Sequence, residues 1–276
     1  QPSATKLQID QSTDRAVINW NSFGIKADGW VNFSQPSSTS ATLNRVTGST
    51  RSDIAGKLTA NGQVFLINPN GIMFLPGSQV DVAGLVASTL NIKDSDFMQG
   101  KLHFQQVPGK PQATVENYGN INIQSGGIAA FIAPGVRNHG VVAAKMGKVV
   151  MAGGATDVTL DFYGDGLLSV KLKSSDLEQI KDAYGNALSS LVDVKGNVRA
   201  DGGIVYLTAQ QANLIVDKII NTDGIIQAKT IEQVGGEIVL IGEGRGTVAV
   251  NGLLDATGLA SGEKGGSIKI TGEKVE

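Results

Sequence analysis

Few side chains in this sequence are of a kind that catalyses or ligates. Two histidines, His103 and His139, stand in different stretches with no Glu or Cys nearby, and cysteine is absent, so no metal site is expected. Serine and aspartate are plentiful, yet none lies in a Gly-x-Ser-x-Gly elbow or another nucleophile motif. Gly164-Asp165-Gly166 reads as a turn, because the repeated Gly-Gly-x-Gly-x-Asp signature of calcium binding is missing. The best enzyme case is Asp157, Asp161 and Asp165 beside Lys171 or Lys173, since polysaccharide lyases set carboxylates and cations on one face of a β-helix. The chain is nevertheless expected to be no enzyme, with no catalytic residue and no cofactor.

The informative chemistry is that of turns. Asn68-Pro69-Asn70-Gly71 puts Pro where φ must be fixed near −65° and Asn-Gly where the left-handed region must be tolerated. Val64-Phe65-Leu66-Ile67 before it reads as a buried strand. Two readings stay open for this block: a corner that the fold requires, or a surface that a partner reads.

The elements that must hold such corners follow from composition. Glycine numbers 36 and proline only 7, against a usual glycine share of about 7 %. Hydrophobic residues make up 41 % and mean hydropathy is +0.02, enough for a continuous core. Many short strands joined by tight turns fit these figures. A unit recurs: an apolar residue, an Asn or other polar residue, Gly, alternating apolar residues, then Gly-Gly and a β-rich run. It appears around Asn117-Tyr118-Gly119, Asn138-His139-Gly140, Gly196-Asn197, Asp223-Gly224 and Asn251-Gly252, with the following glycines starting at 126, 147, 202, 235 and 265. So loose a period suits a solenoid, in which each coil stacks on the last and surplus residues loop out at corners. An antiparallel β-sandwich is the alternative.

The long gap between the second and third units holds Ser175-Asp176-Leu177-Glu178, a capping-box pattern, followed by Leu177, Ile180, Tyr184, Ala187, Leu188 and Leu191 at helical spacing. A short helix is expected near 175–190. Trp20, Phe23, Trp30, Phe33, Phe65, Phe74 and Phe97 crowd the first hundred residues, which suits a cap over the open end of a solenoid. The expected division is a single domain: cap and first coil over 1–50, β-helix core over 51–257, and the start of further repeats over 258–276.

Lys and Arg total 23 against 25 Asp and Glu, with no basic run, so nucleic acid is not an expected partner. No run of 18 apolar residues is present to span a membrane as a helix. Gln1 opens directly onto polar sequence, so any export signal is expected to have been removed. Freedom from cysteine suits a chain that travels unfolded, since no wrong disulfide can trap it.

Longer motifs carry a family resemblance. Ala16-Val17-Ile18-Asn19-Trp20-Asn21-Ser22-Phe23, Asn44-Arg45-Val46-Thr47-Gly48, Ile54-Ala55-Gly56-Lys57-Leu58, the block from Ala60-Asn61-Gly62-Gln63 through Asn68-Pro69-Asn70-Gly71-Ile72, and Gly84 to Leu90 closely resemble the secretion domain of filamentous-haemagglutinin-type exoproteins of two-partner secretion. The Asn-Pro-Asn-Leu motif of one subgroup is missing, so the chain is more similar to the high-molecular-weight adhesins. Family members usually have further strand residues before Ala4, so the resemblance implies an incomplete cap. It also implies a right-handed parallel β-helix that is all-β, exported through the periplasm of a Gram-negative bacterium and secreted or held at the cell surface. The implied partner is a cognate outer-membrane β-barrel transporter with POTRA domains. A monomer is expected, and host or cell-surface glycan is the alternative partner, through the full-length protein. The residues that the resemblance marks for transporter recognition, or for the structure behind it, are Asn44, Arg45, Asn61, Gly62, Asn68, Pro69, Asn70, Gly71 and Ile72.

Overall fold

A computed structural model describes residues 5–162, 168–173, 180–211, 214–258 and 260–276. The chain winds as a right-handed parallel β-helix with three faces. Among the described residues the first face holds nine strands, from Lys6–Asp10 to Leu253–Asp255; the second holds nine, from Arg15–Trp20 to Ser267–Thr271; the third holds eight, from Ser52–Ile54 to Lys274–Val275. Every strand pair within these faces is parallel, with coils about 4.8 Å apart. The first described strand, Lys6–Asp10, already pairs in parallel with Trp30–Ser34, within the stretch 1–50 expected to hold the cap and first coil.

Alternation decides which residues enter the core. In Gln79–Val82 and Asn120–Ile123 the first and third residues face solvent, while Val80, Val82, Ile121 and Ile123 face inward. Each such residue, fully buried, contributes roughly 1.5–3 kcal/mol. Central strands of the second face are buried on both sides and therefore read as nearly unbroken apolar runs, as in Gln63–Ile67 and Gly84–Ser88. Val64 and Leu66 point into the solenoid, whereas Phe65 and Ile67 join an outer cluster with Leu43, Val86, Phe97 and Phe104.

What covers that outer cluster is a small antiparallel sheet of Asn91–Ile92, Leu102–Gln105, Asp157–Phe162 and Leu168–Lys173, built from two insertions far apart in sequence. The helix Asp94–Met98 joins it and buries Phe97 completely. The helix expected near 175–190 is not seen where the chain is described. From Ile180 the backbone makes a tight turn, with Lys181 bridged antiparallel to Ala187 and Leu188 N donating to Ile180 O at 2.9 Å. Ile180 and Leu188 are buried at the two ends of that turn, so their spacing served packing and not helical periodicity. Residues 174–179, with the capping-box pattern, lie outside the described residues.

The glycine positions obey close approach between coils. A Cβ on Gly140 would stand 2.2 Å from Gly119 O, and one on Gly196 2.0 Å from Gly140 O. In the other corner the stacked glycines are 127, 147, 203, 236 and 266, so the lone Gly147 is equivalent to the second glycine of each of the four pairs.

Candidate functional site

The Asn-Pro-Asn-Gly block forms the corner between the second and third faces. Its strand Gln63–Ile67 runs into Asn68, and Gly71 N donates to Asn68 O at 3.0 Å, closing a four-residue turn. Gly71 takes φ +110°, a conformation that disfavours any side chain. Asn68 is 0 % exposed. Its Nδ2 donates to Thr50 O at 3.0 Å and to Ser52 Oγ at 2.9 Å, while Oδ1 accepts from Asn70 N at 2.9 Å. Asn70 Nδ2 donates to Gly48 O at 3.0 Å and to Asn68 Oδ1 at 2.9 Å. Two side-chain amides thus satisfy backbone carbonyls of the preceding coil at Thr50 and Gly48, which lie outside its strands. Pro69 is buried, and Ile72 packs into the core at 1 % exposure.

The remaining motif residues are placed elsewhere. Asn44 is buried on the second face, accepting from Trp20 Nε1 at 3.0 Å and donating to Phe65 O at 3.3 Å. Arg45, beside it, points outward and ties down the first insertion: Nε donates to Asn91 Oδ1 at 2.8 Å, Nη2 to Ile92 O at 2.7 Å, and Nη2 pairs with Asp94 at 2.6 Å. Asn61 lies at the opposite corner, where it copies a backbone pair, accepting from Gln35 N and donating to Gln35 O, both at 2.7 Å. Gly62 leaves no room there, since a Cβ would lie 2.5 Å from Gln35 Oε1. The nine residues therefore form three local fastenings in neighbouring coils and not one constellation.

A second polar cluster had no local signal in the sequence. On the outer side of the third face, register aligns Asp53, Met73, Glu116, Arg137, Asp193 and Asn221 in one row. Glu116, 0 % exposed, accepts from Thr114 Oγ1 at 2.6 Å, Tyr118 OH at 2.7 Å and Ala183 N at 2.7 Å. Arg137 bonds Asp182 at 2.8 Å, and His139 Nε2 meets Asp193 at 2.8 Å. Burial pushes the Tyr118 phenol up, and its bond to Glu116 adds to the shift. Burial alone would raise the Asp193 carboxyl, but His139, Asn221 and Lys195 outweigh it and hold it below its usual range.

The other histidine also has an aspartate 54 residues on: His103 Nε2 meets Asp157 Oδ1 at 2.9 Å, and Gln105 donates to Asp157 Oδ2 at 2.8 Å. Pairing of distant segments makes both contacts, parallel coils for His139 and antiparallel insertion strands for His103, which is why spacing along the chain did not reveal them. In the antiparallel sheet Asp157 is paired with Lys173 and Asp161 with Ser169, while Asp165 lies outside the described residues. Among the described residues no group of three or more His, Cys, Asp or Glu is placed to hold a metal ion.

Comparison with known proteins agrees with this architecture. The TPS secretion domain family matches residues 1–250. A heme/hemopexin-binding protein of Haemophilus influenzae (strain Rd) is 32 % identical over 282 residues, covering 97 % of this chain but 29 % of that protein. A second Haemophilus influenzae protein of the same description is 45 % identical over 91 residues, 33 % of this chain and 10 % of its own length. The chain thus spans under a third of these relatives. Among solved structures, the secretion domain of HMW1 from Haemophilus influenzae superposes with a TM-score of 0.70 at 26 % identity, covering 92 % of this chain and 70 % of that one. With its parallel coils, its turn motif and a match over residues 1–250, the chain belongs to the TPS secretion domain family, the domain through which outer-membrane transporters of two-partner secretion recognise large exoproteins.

Proposed function

We propose that the block around Asn68-Pro69-Asn70-Gly71 is read by the periplasmic POTRA domains of the cognate transporter while the chain is extended, and that it becomes a corner only when the first coils fold at the cell surface. The burial of Asn68 supports this order: at 0 % exposure, with both side-chain polar atoms bonded internally, it offers a partner nothing after folding. An extended Val64–Ile67 segment can add to a sheet edge by β-augmentation, with the turn setting its register. Folding then draws the chain outward, because each coil buries apolar area at roughly 25 cal/mol per Å² against the one before. In this reading the domain is monomeric and non-catalytic; both oxygens of Asp157, the best candidate carboxylate, are already engaged by His103 and Gln105. Capture of an extracellular ligand, as named for the Haemophilus heme/hemopexin-binding relatives, belongs to the longer exoprotein.

The test replaces Asn68 and Asn70 by Ala and measures secretion together with the melting of the purified domain. Loss of secretion with wild-type melting assigns recognition to the motif. Loss of secretion with an unfolded domain makes it a structural corner alone. Secretion at the wild-type level overturns the proposal.

A further inference from the structure

On the solvent side of the first face, two columns of side chains run along the solenoid axis. One reads Lys6, Trp30, Lys57, Gln79 and Asn120, the other Gln8, Asn32, Thr59, Asp81 and Asn122. Most of the second column is linked by short hydrogen bonds: Asn32 Nδ2 to Gln8 Oε1 at 2.9 Å, Thr59 Oγ1 to Asn32 Oδ1 at 2.5 Å, and Asn122 Nδ2 to Asp81 Oδ1 at 2.8 Å. Trp30 reaches across the columns, its Nε1 donating to Thr59 Oγ1 at 2.7 Å, so the indole is locked diagonally on the sheet. The Lys6 ammonium sits over the ring, 4.1 Å from its centre.

Trp30, Lys57, Thr59, Gln79 and Asp81 line a cleft of about 190 Å³. Such a volume is below the roughly 300–1000 Å³ of drug-sized sites and has room for one sugar ring. Three polar groups in it make no hydrogen bond among the described residues: the Lys57 ammonium, the Gln79 amide and Asp81 Oδ2. Together they offer donors, an acceptor and a group that is both, beside an aromatic wall. The opposite charges of Lys57 and Asp81 leave the cleft without net charge of its own, which favours an uncharged ligand. A pyranose matches each part, with a patch of axial C–H for the indole and vicinal hydroxyls that donate and accept.

We propose that this cleft binds one neutral hexopyranose unit of a glycan, with Trp30 as the stacking wall, Asp81 and Gln79 as hydroxyl partners, and Lys57 as an additional donor. None of these residues belongs to the turn motif, so the site is independent of transporter recognition. Neighbouring positions along the same columns, Asn120 and Asn122, carry further amides in line with the cleft.

The chain has two tryptophans, so its indole N–H resonances report separately on Trp30 and on Trp20, which is bonded to Asn44. The wild-type domain is titrated with lactose, cellobiose and a sulfated heparin disaccharide. The expected result is a saturable shift of the Trp30 signal alone, with a neutral sugar, in the millimolar range usual for a small site. Asp81→Ala and Gln79→Ala should each weaken it about tenfold while leaving the melting temperature unchanged, as both side chains are exposed. A Trp30 signal that neither neutral sugar moves, or a shift that Asp81→Ala leaves intact, overturns the proposal. Tighter, salt-sensitive binding of the sulfated disaccharide also overturns it, by making the cleft an anion site.

Discussion

The peptide of Ala183 is held from both sides by the third face: its N–H donates to the buried Glu116 carboxylate at 2.7 Å, and its C=O accepts from Arg51 Nη1 at 2.6 Å. Arg51 also pairs with Asp53 at 2.6 Å, and Arg137 holds Asp182. The turn of the second insertion is thereby fastened to three different coils. Removing the Glu116 carboxylate leaves Thr114, Tyr118 and Ala183 without their acceptor. Glu116→Ala should cost about 3 kcal/mol in a urea titration, and Glu116→Gln less, because the amide oxygen still accepts. A loss below about 1 kcal/mol for the alanine variant would contradict this role.

Acid should weaken the fold through carboxylates whose protons are held off. The Asp255 carboxyl is desolvated, which alone would raise it, but the Thr257 hydroxyl and amide and the Lys229 ammonium outweigh burial and hold it at about 2. Asp193, Asp182 and Asp223 are also lowered. A lowered carboxyl contributes stability that is present above its unfolded value of 3.8 and is lost as pH falls through the folded one. Unfolding free energy should stay flat from pH 7 to about 5 and fall below about pH 4. In Asp255→Asn the slope between pH 4 and 2 should be shallower by up to one proton, about 1.4 kcal/mol per pH unit.

Two glycine replacements separate close approach from backbone freedom. Gly140→Ala forces a Cβ to 2.2 Å from Gly119 O and should cost at least about 3 kcal/mol or give insoluble protein. Gly77→Ala sits at φ +87° with nothing within 4 Å of the added carbon, so strain alone should cost about 1 kcal/mol. Equal melting of the two variants would refute the stacking argument.

Arg45 binds the first insertion to the coil beneath it through Asn91, Ile92 and Asp94. Arg45→Ala should lower stability by about 2 kcal/mol and speed trypsin cleavage at Lys93 and Lys101, which flank the helix Asp94–Met98. Unchanged cleavage there would show that Phe97 packing holds the helix alone.

The parts legible in the sequence were those written locally. The glycines before the apolar runs marked real corners, although in the pairs 126/127 and 202/203 the stacked member is Gly127 or Gly203, since the first glycine of each takes positive φ and the second meets the neighbouring coil. Asn68-Pro69-Asn70-Gly71 was readable as a turn because its chemistry is short-range. The antiparallel sheet was not, because Leu102–Gln105 pairs with Asp157–Phe162 across some fifty residues and only its burial of Phe65 and Val86 explains it. The Glu116 row was equally hidden: Thr114 and Tyr118 flank Glu116 locally, but Arg137, Asp193 and Ala183 come from separate coils and a distant turn. Ile180 and Leu188 misled for a similar reason, as apolar residues four or eight apart serve a buried turn as well as a helix.

Register survives interruption in this fold. Val136 faces Val192 in the third face, and Met151 faces Leu207 in the second, although both insertion strands and the fastened turn lie between them in sequence. A corner can therefore lengthen from a few residues to several dozen while the ladder on either side keeps its pairing. Selection is free to rewrite the outside of such a molecule, trading loops, lids and small sheets at the corners, without renegotiating the inside. Variation among relatives should then concentrate in the corner insertions, and a foreign peptide grafted at one of them should disturb only the segment it replaces.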